Sequence, residues 1–232
     1  MFSDDRKICL TVTGNSRNVF LLGANRSFDN ICILINTNND DFTLHLYNIS
    51  LTAMDSFNAI QYEGSGTLKI VSNGVNSITG GKVSNYSLIT SAIRSNNLEI
   101  NGDGKIDIRG GNGIDYPANR VANKGGYGIF AEYVKLANPN TSIYGGRGGH
   151  CKDGPAGVDG YNSSPYTISN QYRSNGGHGA QGQDGCAGGL GGIGVSASSI
   201  EVVASVYIVG GQGGNGSNGG NGGNGGKGSD IL

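Results

Sequence analysis

The chain has no tryptophan, and only 14% of its 232 residues are charged. Its 16 lysines and arginines meet 17 acidic residues, for a formal net charge of -1. That balance removes the electrostatic reason to expect nucleic acid or an anionic membrane surface as partner. Scarce charge also argues against disorder, which is sustained by net charge and a lack of apolar groups. No segment approaches the roughly 20 apolar residues of a membrane span, so membrane insertion is not expected. The opening MFSDDRKICLTVTG holds no apolar run of signal-peptide length. An exported protein of this sequence is therefore expected to be a piece of a longer chain, and the ending GGKGSDIL, inside a periodic pattern, favours truncation there. Amphipathic helical patterns are almost missing, which points to an all-β fold.

Glycine is what the chain has in abundance, at 44 residues. It recurs at every third position along Gly176-Gly179-Gly182-Gly185-Gly188-Gly191-Gly194 and Gly210-Gly213-Gly216-Gly219-Gly222-Gly225-Gly228. A third run, Gly145-Gly148-x-Gly154-Gly157-Gly160, skips one beat, where Cys151 stands. A period of three belongs neither to an α-helix nor to a strand. It matches a left-handed extended helix of three residues per turn, in which glycine lets backbones approach closely. Only Gly154-Pro155-Ala156 has the triplet chemistry that stiffens collagen, so a triple helix fits poorly. A flexible linker would drift out of phase over seven triplets, and this one does not.

The strand-like segments repeat as well. Gly126-x-Gly128-Ile129, Val134-x-Leu136 and Ile143-x-Gly145-Gly146 are answered, about 66 residues on, by Gly192-x-Gly194-Val195, Ile200-x-Val202 and Ile208-x-Gly210-Gly211. Two earlier units share the frame without a long glycine insert: Ile60, Leu68-x-Ile70, Ile78, Gly80-Gly81, and Ile93, Leu98-x-Ile100, Ile106-x-Ile108, Gly110-Gly111. Alternation of apolar and polar residues predicts strands with one buried face. Stacked coils of this kind predict a β-solenoid, in which no coil closes a core alone. KICLTVTG, NICILINTN and TLHLYNISL fit as N-terminal coils.

The expected architecture is a right-handed parallel β-solenoid with protruding polyglycine-II-type hairpins. Residues 1–144 would form coils, 145–194 a glycine-triplet hairpin with a tip loop at 161–175, 195–209 a further coil, and 210–232 the start of a second triplet segment. If Gly160 lies beside Gly177 in an antiparallel hairpin, Cys151 falls opposite Cys186, and neighbouring strands about 5 Å apart allow a disulfide there. Cys9 and Cys32 are expected to stack as small core residues. Four cysteines in a loop-rich chain lean towards an oxidising, extracellular setting.

LHLYNISLTAMDSFNAIQYEGSGTLKIVSNGVNSITGGK, followed by LITSAIRSNNLEINGDGKIDIRGG, resembles bacterial extracellular carbohydrate-binding proteins with a right-handed parallel β-helix, similar in fold to pectate lyases. The resemblance covers roughly residues 40–145 and lies in strand phasing and Gly/Asn corners. The later glycine segments depart from that pattern and look like the polyglycine layers of phage tail-tip adhesins. Both resemblances imply binding to a polysaccharide or cell-surface glycan, outside the cell, at the cell surface or on a virion tail fibre. Neither transfers catalytic residues.

The loop 161–175 is the expected binding site. Tyr161, Tyr166 and Tyr172 stand there among Asn170 and other serines and amides, with Arg173 as the only charge. Tyrosine, serine and asparagine combine rigid amphipathic contact area with adaptable hydrogen bonding. Calcium is possible, but its signals are partial, and no cofactor is expected. Gly110-Gly111-Asn112-Gly113-Ile114-Asp115 opens a calcium nonapeptide that occurs once, and the loop from Glu99 places Gly110 where a bidentate glutamate is needed. His150 and His178 lie on opposite hairpin arms and are expected to be surface residues rather than metal ligands. A lyase would need a face carrying Asp103, Lys105, Asp107 and Arg109 with Lys69 and Lys135 nearby. Non-catalytic binding or adhesion is the expected function, with an enzyme of the parallel β-helix type and a structural or ice-binding protein as rivals. Weak sites of this kind gain from repetition or from an oligomer.

Overall fold

The computed structural model describes residues 8–14, 17–37, 41–84, 89–115, 122–160 and 178–225. Among these residues the fold is all-β, with sixteen strands and no helix. The strands are β1 (Ile8–Thr13), β2 (Asn18–Asp29), β3 (Ile31–Asn36), β4 (Phe42–Thr52), β5 (Ile60–Tyr62), β6 (Thr67–Asn73), β7 (Val75–Thr79) and β8 (Ser91–Arg94). They continue as β9 (Asn97–Gly102), β10 (Lys105–Arg109), β11 (Tyr127–Phe130), β12 (Tyr133–Leu136), β13 (Thr141–Tyr144), β14 (Val195–Ser196), β15 (Ser199–Val202) and β16 (Tyr207–Val209). Six of them form a sheet in the order β1-β3-β5-β8-β11-β14. The other ten form a sheet that curls into a half-barrel, in the order β15-β12-β9-β6-β4-β7-β10-β13-β16, with β2 beside β4. All strand pairings between these elements are parallel.

Four units repeat along the chain: β5–β7, β8–β10, β11–β13 and β14–β16. Each gives its first strand to the six-stranded sheet and its other two to opposite arms of the curled sheet. In-register pairing stacks like residues into columns. Ile33, Ile60, Ile93, Ile129 and Val195 form one. Phe42, Leu68, Leu98, Val134 and Ile200 form a second. Leu51, Ile78, Ile108, Ile143 and Ile208 form a third. The interior members are buried because alternation sends every second side chain inwards, as in the strictly alternating burial of β6. Each fully buried aliphatic side chain contributes about 1.5–3 kcal/mol.

Tight corners join the two strands that each unit gives to the curled sheet. Gly74 and Gly102 have positive φ at two of these corners, at 71° and 103°, and Asn48 has φ 50° at the matching bend inside β4. Asparagine and glycine tolerate this left-handed backbone. The Asn48 carboxamide accepts the Val75 N–H at 2.9 Å, so one corner is tied to the next. Buried amides fill the inner side of the corners. Asn76 donates to Ser72 Oγ and the Asn73 carbonyl while its oxygen accepts the Ile49 N–H. Asn138 donates to the Gly104 carbonyl and accepts from the Asn140 N–H.

The Gly-Gly exits lead into three glycine arms, residues 145–160, 178–194 and 210–225, which bond to one another. The first and third run parallel: the N–H groups of Gly148, Cys151, Gly154, Gly157 and Gly160 donate to the carbonyls of Gln212, Asn215, Asn218, Asn221 and Asn224. The middle arm runs antiparallel to both. Ala180, Gln183, Gly189 and Gly192 donate to Val158, Pro155, Gly149 and Gly146, and accept in turn from Gly223, Gly220, Gly214 and Gly211. A Cβ on Gly154, Gly157, Gly182 or Gly188 would fall under 3.0 Å from a neighbouring carbonyl oxygen, so the triplet phase is a steric requirement.

Cys151 occupies a glycine position of its arm and is bonded to Cys186, with their Cα atoms 5.8 Å apart. Cys9 and Cys32 correct the sequence expectation: they form a disulfide instead of stacking as free core residues. They are direct partners in the parallel register of β1 and β3, with Cα atoms 4.5 Å apart, within bridging range. Cys32 also alternates with the inward Ile33 and Ile35, which puts the bridge on the other face of the sheet.

Two predictions follow from the stacking. Ile93→Ala removes a side chain with no exposure and should cost about 2–5 kcal/mol in denaturant unfolding. Gly188→Val should detach the third arm while sparing the columns, read as faster hydrogen exchange at Gly211 and Gly214 with unchanged protection in β6 and β9.

Candidate functional site

The outward side of the six-stranded sheet carries a row built by the same register: Leu34, Gln61, Arg94, Phe130 and Ser196. Neighbouring strands lie about 4.8 Å apart, so these side chains stand one above the next. Gln61, Arg94, Phe130 and Ser196 line an open groove of about 700 Å³ whose walls include Glu63, Ser95, Asn96, Glu132 and Ser198. The Arg94 guanidinium carbon sits 5.4 Å from the Phe130 ring centroid. Gln61 is held in place, accepting from the Asn58 amide at 2.8 Å and donating to Glu63 at 2.9 Å. Asn36 also donates to Glu63, at 3.3 Å. Tyr127 packs at 5.9 Å from Phe130, with the Lys124 ammonium 5.9 Å from its ring. An aromatic surface, two carboxylates, a guanidinium and several amides thus converge on one shallow trough.

A second hollow, of about 450 Å³, lies where the curled sheet meets the Gly-Gly exits, lined in part by Asp55, Lys82, Arg109, Asn112 and Tyr144. Arg109 lies 4.2 Å above the Tyr144 ring, and Tyr144 packs at 5.7 Å from Tyr207. It has the same arginine-on-aromatic chemistry with less polar lining.

The residues singled out in the sequence are dispersed differently. Tyr161, Tyr166, Asn170, Tyr172 and Arg173 lie outside the described residues. The charges a lyase would use are held in separate pairs. Lys69 bonds Asp41 at 3.1 Å, Lys105 contacts Asp107 at 3.2 Å, and Lys135 approaches Glu201 at 3.9 Å. Lys69 and Lys135 stand on β6 and β12, whereas Asp107 and Arg109 stand on β10, beyond the corner that separates the arms of the curled sheet. Asn112 and Asp115, the acceptors of the calcium-like motif, accept the N–H groups of Arg147 and His150 at 3.0 and 2.7 Å. His150 Nδ1 accepts the Asn215 N–H at 2.8 Å. No group of three or more His, Cys, Asp or Glu side chains forms a metal-binding cluster among the described residues.

Hydrogen bonding tunes two of the acids and one phenol. The Asp115 carboxyl is held below its ordinary range first by the His150 N–H and then by Arg147, with partial burial opposing. Asp41 is lowered by the Thr67 N–H and by Lys69. The Tyr133 hydroxyl donates to Glu201, which raises its pKa. No motif in the residues points to the groove, since Arg94 and Phe130 are 36 positions apart and meet only through register. Compared with family models, curated proteins and solved structures, the chain matches none.

The lowered Asp115 pKa has a defined consequence for the arms. Its stabilising effect is present above the ordinary carboxylate value of about 3.9 and is lost as pH falls through the lowered one. Acid titration should therefore release the His150 amide to exchange below about pH 4, and Asp115→Asn should weaken that pH dependence.

Proposed function

We propose that the chain is an extracellular, non-catalytic carbohydrate-binding or adhesion module. In this reading the four units are coils of a right-handed parallel β-solenoid, and the glycine arms are a polyglycine-II-type layer. Support for the solenoid comes from the parallel columns and from the regular assignment of each unit's strands to the two sheets. The row Gln61, Arg94, Phe130 and Ser196 carries the binding reading. Sugar rings present apolar faces and a rim of hydroxyls. A partly exposed aromatic ring meets the first, while fixed carboxylates and amides meet the second. The open trough suits a chain running across the strands rather than an enclosed small molecule. The two disulfides are compatible with an oxidising compartment. The loop 161–175 is a further contact in the same reading, and repetition along a longer assembly would strengthen weak single sites.

The test is binding to a panel of purified polysaccharides. Phe130→Ala and Arg94→Ala should each weaken binding about tenfold, the effect of losing about 1.4 kcal/mol of contact. Loss on replacing 161–175 with a Gly-Ser turn, with both point variants unaffected, would move the site to that loop. Absence of binding to any glycan would favour a structural role for the glycine layer.

A further inference from the structure

The third arm continues the glycine triplets where, Gly216 apart at 3.3 Å from the Cys186 carbonyl oxygen, a Cβ would find ordinary room among the described residues. Gly210, Gly213, Gly219 and Gly222 stand in the same phase as Gly145, Gly148, Gly154 and Gly157 of the first arm. In the first arm these positions press on carbonyls of the returning arm, where a Cβ would fall under 3.0 Å. In the third arm the nearest atoms to such a Cβ lie at 3.6, 3.6, 3.5 and 3.9 Å, and Gly225 meets nothing within 4 Å. The glycines facing inwards on the same arm, Gly211, Gly214, Gly220 and Gly223, are tightly confined. One face of the arm is thus packed, and the other meets no further backbone among the described residues.

The side chains beside this face repeat the logic. In the segment after Gly110-Gly111 and in the first arm, side chains at triplet spacing accept N–H groups from the segment packed on them, Arg147 and Ala156 excepted. Asn112 and Asp115 accept from Arg147 and His150. His150, Asp153 and Asp159 accept from Asn215, Asn218 and Asn224. Gln212, Asn215, Asn218, Asn221 and Asn224 occupy that position on the third arm, and all five are exposed. They form a row of carboxamides that face no further arm among the described residues.

The strands of the same unit are open on the same side. β14 ends the six-stranded sheet, and β15 and β16 end the curled one. Ile200, Val202 and Ile208 stand in the core columns, yet they are 43%, 53% and 39% exposed. Val134, Leu136 and Ile143, one unit earlier, are fully buried. Exposed apolar patches next to unpaired strand edges mark association surfaces.

We propose that this end face, arm 210–225 together with β14–β16, pairs with the same face of a second copy of the chain. Three features favour a copy. No charged residue lies between Gly210 and Gly225, so identical arms meet without repulsion. Carboxamides both donate and accept, which makes the asparagine row complementary to itself. The glycine arms already take neighbours in both directions, parallel in 145–160 and antiparallel in 178–194, so either relation to a twofold axis is accommodated.

Sedimentation equilibrium of the whole chain tests this against Gly219→Val/Gly222→Val, whose Cβ atoms would meet the middle arm only at ordinary contact distances of 3.5 and 3.9 Å. The wild-type chain should dimerise, and the variant should raise the dimer dissociation constant at least tenfold while keeping the circular dichroism spectrum and both disulfides. Ile200→Asp, at the other end of the face, should do the same. A wild-type chain that stays monomeric up to millimolar concentration overturns the proposal, as does a dimer that survives both variants.

Discussion

Backbone packed directly on backbone is the constraint on which the later half of the molecule depends. Where a strand leaves the curled sheet, the pairs Gly80-Gly81, Gly110-Gly111 and Gly145-Gly146, and Gly211 of the last pair, let the chain run against its neighbours without a Cβ between them. Hydrogen bonds at every third residue then hold three extended arms together with no apolar core. Such bonds are individually worth about 1 kcal/mol net, so the layer depends on their number and on strict phase. The Cys151–Cys186 bridge adds a covalent tie at the one triplet position of the first arm that is not glycine.

The two halves of the structure solve one problem in different ways. In the sheets, a parallel register stacks identical residue types, and burial of isoleucine and leucine columns supplies the stability. In the arms, hydrophobic burial is replaced by close approach and side-chain acceptors. Asn112, Asp115, His150, Asp153 and Asp159 each take an amide N–H of the following arm. The same register that stacks the core also stacks the outside, which is how Gln61, Arg94 and Phe130 come to share a groove. A binding face on such a scaffold needs no dedicated domain, because each added unit extends it.

Much of this was legible in the residues themselves. Alternation marked Leu68-x-Ile70, Leu98-x-Ile100, Val134-x-Leu136 and Ile200-x-Val202 as equivalent, and these are register partners in one sheet. The triplet count set Cys151 opposite Cys186. The groove was not legible, because Arg94 and Phe130 belong to different units and carry no motif. Nor was the Cys9–Cys32 bridge: a separation of 23 residues read as stacking in the core, whereas parallel pairing made the two cysteines direct neighbours on the other face.

The sequence by itself determined the periods: two along the strands, three along the arms, and about 66 between the later units. Those periods follow from local sterics and burial, so any stretch of chain reports its own. The tertiary structure alone decided which outward side chains meet, which charges pair, and which glycine face is left open. These depend on how far one unit is shifted against the next, and a shift of one residue would turn every side chain to the opposite face.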